Sequence, residues 1–268
     1  MKVQVIGGPF LHSMSTTLDK KSNTFEWSLE EQKIKIFVDN SILQGITGSK
    51  DNKYAFVSET RAVHPQIYEW CVSNVELLKQ NFCMIFTHYD ELLKLGGPFK
   101  YVPLTGTWID KIEIRPKTKL VSAISSNKSW LPGHKKRLDF LNNLPSNVDL
   151  FGRGFREIEK KEEGLDDYMF SVAIENDVYP SYFTEKILDC FATGTVPVYF
   201  GDRGVSNFFD ERGILFFSST EQMQNVLDRC TLELYNDMLP YIRNNLHAVK
   251  DFDLSELHII KHFNDTLS

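Results

Sequence analysis

Residues 170–201 constrain the fold of this chain more than any other stretch. They read FSVAIENDVYPSYFTEKILDCFATGTVPVYFG, which joins an apolar run, a polar loop, a helical pattern and a second apolar run. Two apolar strands that flank a helix are typical of a βαβ unit in a parallel sheet covered on both faces. Glu175 and Asn176 directly follow the first strand, where an open α/β sheet binds ligands.

Apolar runs alternate with helical patterns in both halves of the chain, which indicates two doubly wound α/β domains. The predicted strands are residues 3–6, 34–38, 53–57, 83–87, 100–103, 120–125, 148–151, 170–174, 196–200 and 215–217. The predicted helices are residues 65–80, 90–95, 134–144, 184–193 and 220–230, with two more before the C-terminus. Residues 108–119 are charged and lack a period. We therefore predict an N-terminal domain over 1–115 and a C-terminal domain with a helical tail over 116–268.

The composition excludes several classes of protein. The net charge of −6, from 30 basic and 36 acidic residues, argues against a general nucleic-acid binder. No apolar run approaches the ~18 residues of a membrane span, and the start MKVQVIGGPF has no signal-peptide pattern. The four cysteines are scattered without CxxC spacing, which favours buried thiols in a reducing compartment. We expect a cytoplasmic protein without an integral membrane segment.

Lys186 is unusually placed for a cation. It lies in the first turn of a predicted helix, where the helix dipole disfavours a positive charge by up to ~1 kcal/mol. An anion bound at this helix N-terminus, most naturally a phosphate, would reverse the penalty. Alternatively, Glu185 offsets Lys186 on a solvated surface, and residue chemistry alone leaves both interpretations open.

Five short motifs in the second half match a known donor-binding signature. AIEN, YFTEK and GTVPVYFG follow one another within residues 173–201. Ser126-Asn127 precedes HKKR at residues 134–137, and VDLFG at 148–152 carries Phe151 where the signature has Tyr. Together they resemble family 10 glycosyltransferases, the α-1,3/1,4-fucosyltransferases. The resemblance implies a GT-B-type fold, in which two Rossmann-like domains face a cleft.

The resemblance also implies roles for individual residues. Arg137 and Lys186 would grip the donor pyrophosphate and stabilise the departing nucleoside diphosphate, without a metal or other cofactor. Glu185 would hydrogen-bond the nucleotide ribose. The remaining implied donor-binding residues are Glu175, near the donor sugar, and Asn176, Tyr182 and Thr184. Apart from the resemblance, the tight turn at residues 152–154 suits an approach to phosphates, with Arg153 as an extra basic contact. A plain basic helix surface remains an alternative reading of Arg137, since Lys135 and Lys136 adjoin it.

The resemblance implies inversion at the anomeric carbon, and an inverting transfer needs a base that takes the proton of the acceptor hydroxyl. By resemblance this base belongs to the N-terminal domain, and Glu59, in the motif Ser-Glu-Thr after a predicted strand, is the candidate. Alternatively, Glu59 is a surface carboxylate on a loop. His64, His88 and Asp90 are the other candidates for the base. The turn at residues 7–10 is a second candidate element for the acceptor side, with a plain turn as its alternative.

The sequence therefore predicts an inverting transferase that moves fucose from GDP-fucose to a hydroxyl of a glycan acceptor. Two alternatives stay open. One is a glycosyltransferase of the same fold that uses another nucleotide sugar. The other is a catalytically idle module that binds a glycan or a nucleotide.

Overall fold

The chain divides into two compact units. The structure is a computed structural model that describes residues 1–7, 20 and 22–267. The first unit comprises residues 1–106 and 251–268, and the second comprises residues 107–250. Each unit is built on one parallel sheet.

Six strands of the described residues form the sheet of the first unit, in the order β2-β1-β3-β4-β5-β6. They are β1 (Lys2–Ile6), β2 (Glu26–Ser28), β3 (Lys35–Val38), β4 (Lys53–Val57), β5 (Met84–Thr87) and β6 (Phe99–Tyr101). The helices are α1 (Pro65–Ser73), α2 (Val75–Asn81), α3 (Asp90–Leu93) and α8 (Ser255–Leu267). The predicted strands of this half thus lie within a residue or two of the observed ones, whereas the short edge strand β2 was not predicted.

The single helix predicted over residues 65–80 is wrong, because the structure divides it at Asn74. Asn74 has φ −123° and ψ 38°, outside the helical region. Its side-chain amide donates to the Trp70 carbonyl oxygen over 2.9 Å. Asparagine competes for backbone hydrogen bonds in this way, which is why it disfavours helix interiors.

The C-terminal helix α8 packs in the first unit. Ile259 and Phe263 join the buried apolar cluster of the sheet, and the Phe263 ring meets Tyr54 edge-on at 4.8 Å. At the start of α8, Glu256 Oε1 accepts a hydrogen bond from Trp27 Nε1 over 2.7 Å. The sequence placed this helix with the second domain, because nothing local in a helical pattern identifies the sheet that it covers.

The division between the units also lies nine residues before the predicted one, since residue 107 already begins the second unit. The backbone N–H groups of Glu113 and Arg115 donate to the carbonyl oxygens of Ala192 and Thr193 over 3.0 and 3.2 Å. The segment read as a linker is therefore hydrogen-bonded to the second unit.

The sheet of the second unit has the order β11-β10-β9-β7-β8 among the described residues. Its strands are β7 (Lys119–Ile124), β8 (Asp149–Phe151), β9 (Tyr168–Ile174), β10 (Val196–Phe200) and β11 (Leu215–Phe216). Its helices are α4 (Pro132–Asn142), α5 (Glu185–Thr193), α6 (Thr220–Leu227) and α7 (Leu232–Ala248). Every residue of β9 and β10 is buried, and α5 connects these two parallel neighbours, so the predicted βαβ unit is confirmed.

The order of the strands marks where this sheet can bind a ligand. Numbered along the chain within the unit, the sheet reads 2-1-3-4-5, so its direction of winding reverses between β7 and β9. At such a switch point the loops after the two strands leave a crevice outside their carboxyl ends. The two loops here are residues 125–131 and 175–184.

We predict that Glu256→Ala destabilises the first unit by about 1–3 kcal/mol, because the buried Trp27 indole N–H loses this acceptor. Urea unfolding followed by tryptophan fluorescence measures the effect. Glu233→Ala is the matched control, since Glu233 lies exposed in the first turn of α7. Equal effects of the two substitutions would contradict the placement of α8.

Candidate functional site

Glu175 ties the end of β9 to the start of α5. Its side chain is fully buried. One carboxylate oxygen accepts the Thr184 backbone N–H over 2.9 Å, and the other accepts the Thr184 hydroxyl over 2.7 Å. The Tyr199 hydroxyl donates from 3.4 Å, and Lys186 Nζ lies 3.2 Å away. The carboxylate implied to lie near the donor sugar is thus surrounded by protein groups and fixes the N-cap of α5.

The sequence of α5 accounts for its position over the sheet. Thr184 is its N-cap, and Gly194 ends it with φ +72°, the left-handed conformation that glycine adopts without strain. The predicted apolar residues Ile187, Leu188 and Phe191 are all buried. This packing leaves Glu185 and Lys186 in the first turn, beside the switch point.

Lys186 is paired rather than solvated. Its side chain is 19% exposed, and its Nζ lies 2.8 Å from the Thr184 hydroxyl and 3.4 Å from Glu185 Oε1, besides Glu175. Burial by itself would lower the pKa of Lys186, but Glu175 and Glu185 outweigh that effect and raise it. Two carboxylates therefore offset the cost of a cation at this helix start, and the lysine side chain is mostly buried rather than solvated.

Arg137 projects from α4 to the same pair of loops. It is buried, and its guanidinium donates to the Asn176 side-chain oxygen and, over 3.1 Å, to the Ser126 carbonyl oxygen. Its Nε is buried without a hydrogen-bond partner among the described residues. Arg137 thus joins the loop after β7 to the loop after β9, which differs from the plain basic surface considered as its alternative.

Glycines bring backbone close to these loops. A Cβ atom on Gly133, in the first turn of α4, would lie 1.6 Å from the Asn176 carbonyl oxygen. Gly152, with φ +108°, approaches the Ser125 carbonyl so closely that a Cβ atom would lie 2.0 Å from its oxygen. Between the flanking glycines, Arg153 is exposed, and its carbonyl oxygen accepts the Asn127 N–H over 3.0 Å.

Tyr182 has a buried ring that stacks on Tyr179, with centroids 4.6 Å apart. Ser181 before it has φ +64°, a conformation that few residues other than glycine adopt. This turn orients the tyrosine inward two residues before the N-cap of α5.

Sequence reasoning missed two charged residues at the site, Lys161 and Asp189. Lys161 Nζ lies 2.7 Å from Asp189 Oδ2 and 3.5 Å from Glu185 Oε1. Asp189 is buried and also accepts the Thr107 hydroxyl and the Trp108 N–H over 2.8 and 2.7 Å. The spacing of Asp189, four residues after Glu185 on one helix face, is a signal that could have found it.

In the first unit, the candidate base Glu59 follows β4 and is partly buried. Asp39, at the end of β3, has φ +48°, and its Oδ1 accepts the backbone N–H groups of Ser58 and Glu59 over 2.8 and 3.2 Å. Burial raises the pKa of Asp39, against the lowering effect of these hydrogen bonds. Asp39 therefore fixes the turn that carries Glu59, a role that the sequence did not indicate.

The other candidates for the base lie in different environments from that of Glu59. His88 is buried with Nε2 2.9 Å from the Ser58 carbonyl oxygen, and burial lowers its pKa to about 4. Asp90 begins α3 and pairs with Lys94 over 2.5 Å, and His64 is the N-cap residue of α1. Of the turn at residues 7–10, residues 8–10 lie outside the described part of the chain.

A search of the described residues finds no cluster of three or more His, Cys, Asp or Glu side chains that could hold a metal ion. Within the same residues, no helix is both long and apolar enough to cross a membrane.

Residues 114–233 match the family described as glycosyltransferase family 10 (fucosyltransferase), C-terminal part. This segment is a family 10 glycosyltransferase domain. The resemblance read from the motifs is confirmed, and the match covers β7 to the start of α7, with every loop of the switch point.

Named relatives agree with this domain. The chain is 31% identical over 94 residues to 4-galactosyl-N-acetylglucosaminide 3-alpha-L-fucosyltransferase 9 of Cricetulus griseus. The aligned part covers 33% of this chain and 25% of that protein. The chain thus spans about a quarter of the length of the curated relatives it matches.

Solved structures show the same fold. An α1,3-fucosyltransferase with GDP has a TM-score of 0.56 at 15% identity, over 94% of this chain and 88% of that one. Anabaena HepE in complex with UDP and glucose has a TM-score of 0.66 at 10% identity, over 100% and 99%. The predicted GT-B-type α/β class is confirmed.

We predict that Glu185 makes stability acid-sensitive. Burial by itself would raise its pKa from the ordinary 4.5, but Lys186 and Lys161 outweigh burial and lower it to about 2. Because the folded pKa is depressed, its contribution is complete above about pH 4.5 and is lost as the pH falls towards 2. The difference in unfolding free energy between wild type and Glu185→Gln should therefore shrink across this window, as measured by urea unfolding. Exposed Glu233→Gln should show no such change, and a constant difference for Glu185→Gln would contradict the ion pairing.

Proposed function

We propose that this protein is an inverting glycosyltransferase that transfers fucose from GDP-fucose to a glycan hydroxyl and needs no metal. The observation that carries the proposal is the meeting of Arg137, Lys186 and the N-terminus of α5 at the switch point of a family 10 domain. Helix N-termini and paired basic side chains bind phosphate groups.

The two cations suit a leaving diphosphate. As the bond from the sugar to the diphosphate breaks, negative charge develops on the departing phosphate oxygen, and fixed positive groups stabilise that charge. The buried Nε of Arg137 has no hydrogen-bond partner among the residues that the structure describes, so a phosphate oxygen would satisfy it. In this proposal Asn176 orients Arg137, and the exposed Arg153 adds an extra basic contact.

Glu175 and Thr184 support the site in this proposal rather than reacting. Their mutual hydrogen bonds hold the first turn of α5 against the end of β9. A donor would then meet Lys186 and the first turn of α5 already in position, which lowers the cost of ordering them on binding. Tyr182, buried against Tyr179, supports the turn before the helix, and Glu185 accepts the ribose hydroxyls.

Glu59 is the proposed base. Its backbone N–H is held by Asp39, and its carbonyl oxygen accepts the Tyr89 hydroxyl over 2.7 Å, so the residue is anchored on both sides. His88 is a poorer base for this step, because burial lowers its pKa to about 4, which weakens its affinity for a proton, and its Nε2 already pairs with the Ser58 carbonyl oxygen.

Two further proposals accompany this function. The four cysteines are free thiols, which fits a reducing compartment, and we retain a cytoplasmic location on that ground. A different nucleotide sugar is the second candidate for the donor, and the likeness to HepE with UDP and glucose favours testing it.

We predict that Arg137→Ala and Lys186→Met each weaken GDP binding at least tenfold, because each removes a charge-assisted contact to the diphosphate. Isothermal titration calorimetry with GDP, and with UDP for the alternative donor, measures the loss. Lys135→Ala is the control, since Lys135 is exposed on the same helix α4. If both site variants are folded and bind GDP as wild type does, the donor site is misassigned.

We predict that Glu59→Gln lowers the rate of fucose transfer by about 10²–10⁴-fold, the usual contribution of a general base, with GDP affinity unchanged. Transfer from labelled GDP-fucose to a panel of glycan acceptors supplies the rate. Glu69→Gln, an exposed substitution on α1, should retain the wild-type rate. A fully active Glu59→Gln would exclude Glu59, whereas a wild type that binds GDP but transfers to no acceptor favours the idle binding module.

A further inference from the structure

Five charged side chains of the second unit form one alternating row. It runs Asp189, Lys161, Glu185, Lys186, Glu175, with successive oxygen–nitrogen distances of 2.7, 3.5, 3.4 and 3.2 Å. Its terminal carboxylates are buried, and its three inner side chains are only 17–19% exposed.

Burying such a row of charges is costly in folding free energy, so stability by itself does not explain it. Removing charges from water costs several kcal/mol per ion, and apolar side chains of similar volume are often as stable. The Asp189 carboxylate binds Lys161, the Thr107 hydroxyl and the Trp108 N–H. The Trp108 ring also covers Lys161, whose Nζ lies 4.4 Å from the ring centroid. Asp189 and Trp108 thus hold the Lys161 side chain in place beside Glu185.

Glu185 needs a second cation if Lys186 is to serve a ligand. Glu185 Oε1 lies almost equally far from Lys161 and Lys186, at 3.5 and 3.4 Å. With Lys186 alone, the carboxylate would compete with a bound diphosphate for one ammonium group. Lys161 gives Glu185 a second cationic partner, for which a bound diphosphate does not compete.

We propose that Lys161, anchored by Asp189 and Trp108, is a positioning residue that holds the Glu185 carboxylate in place for the ribose hydroxyls of a bound nucleotide. This inference rests on the proposed function, because it assumes that Glu185 accepts those hydroxyls. It adds Lys161 and Asp189 to the site as residues that act through Glu185.

The test compares GDP with 2′,3′-dideoxy-GDP, which lacks both hydroxyls. Hydrogen bonds to a charged group are worth about 1.5–3 kcal/mol, so wild type should prefer GDP roughly 10–100-fold in calorimetry. In Lys161→Met this preference should fall below about threefold, and Lys161→Arg should restore most of it. Lys160→Met should keep the wild-type preference, since the exposed Lys160 pairs with Asp110 instead.

Loss of Lys161 leaves Asp189 buried with one fewer partner, so Lys161→Met could unfold. The double variant Lys161→Met/Asp189→Asn keeps the net charge of the row at −1 and guards against this, with circular dichroism to verify folding. A folded variant that retains the wild-type preference for GDP would overturn this inference and leave the proposed function standing. If wild type binds UDP instead, the same comparison is made with UDP and its dideoxy analogue, because the ribose is common to both. Wild type that binds neither nucleotide would overturn the proposed function and this inference together.

Discussion

The second unit depends on one buried carboxylate. Glu175 leaves the end of β9 and accepts both the backbone N–H and the hydroxyl of Thr184, so the strand end and the helix start are joined by two hydrogen bonds. A buried carboxylate is tolerable only when its oxygens are satisfied, and here Lys186 and Tyr199 complete the set. The start of α5 is thereby fixed before any ligand arrives.

From this anchor the charges of the site extend outward. Lys186 balances Glu175, Glu185 balances Lys186, and Lys161 with Asp189 closes the row. Two carboxylates thus compensate the cation at this helix start. A bound diphosphate would then share Lys186 with Glu175 and Glu185. Arg137, by contrast, keeps a buried N–H without a partner in the described part of the chain, and a phosphate oxygen would satisfy this group.

Local patterns predicted the fold well where apolar runs are clearly bounded by polar turns. The strand at residues 53–57 and the strand at 196–200 were predicted to the residue, since apolar runs between polar turns admit few alternatives. The failures had specific causes. The helix over 65–80 divides because Asn74 binds the Trp70 carbonyl, and the edge strand β2 is too short, at three residues, to show a period.

The sequence by itself determined that this protein is a parallel α/β protein, that a βαβ unit carries its polar loop, and that Glu185 and Lys186 begin a helix beside that loop. These features follow from the periodicity of neighbouring residues and from capping rules that act over a few positions. Only the tertiary structure decided that Glu175 faces inward, that Lys161 reaches Asp189 across 28 positions of sequence, and that α8 covers the first sheet. Those outcomes depend on burial and on contacts between distant segments, whose energies no local pattern records.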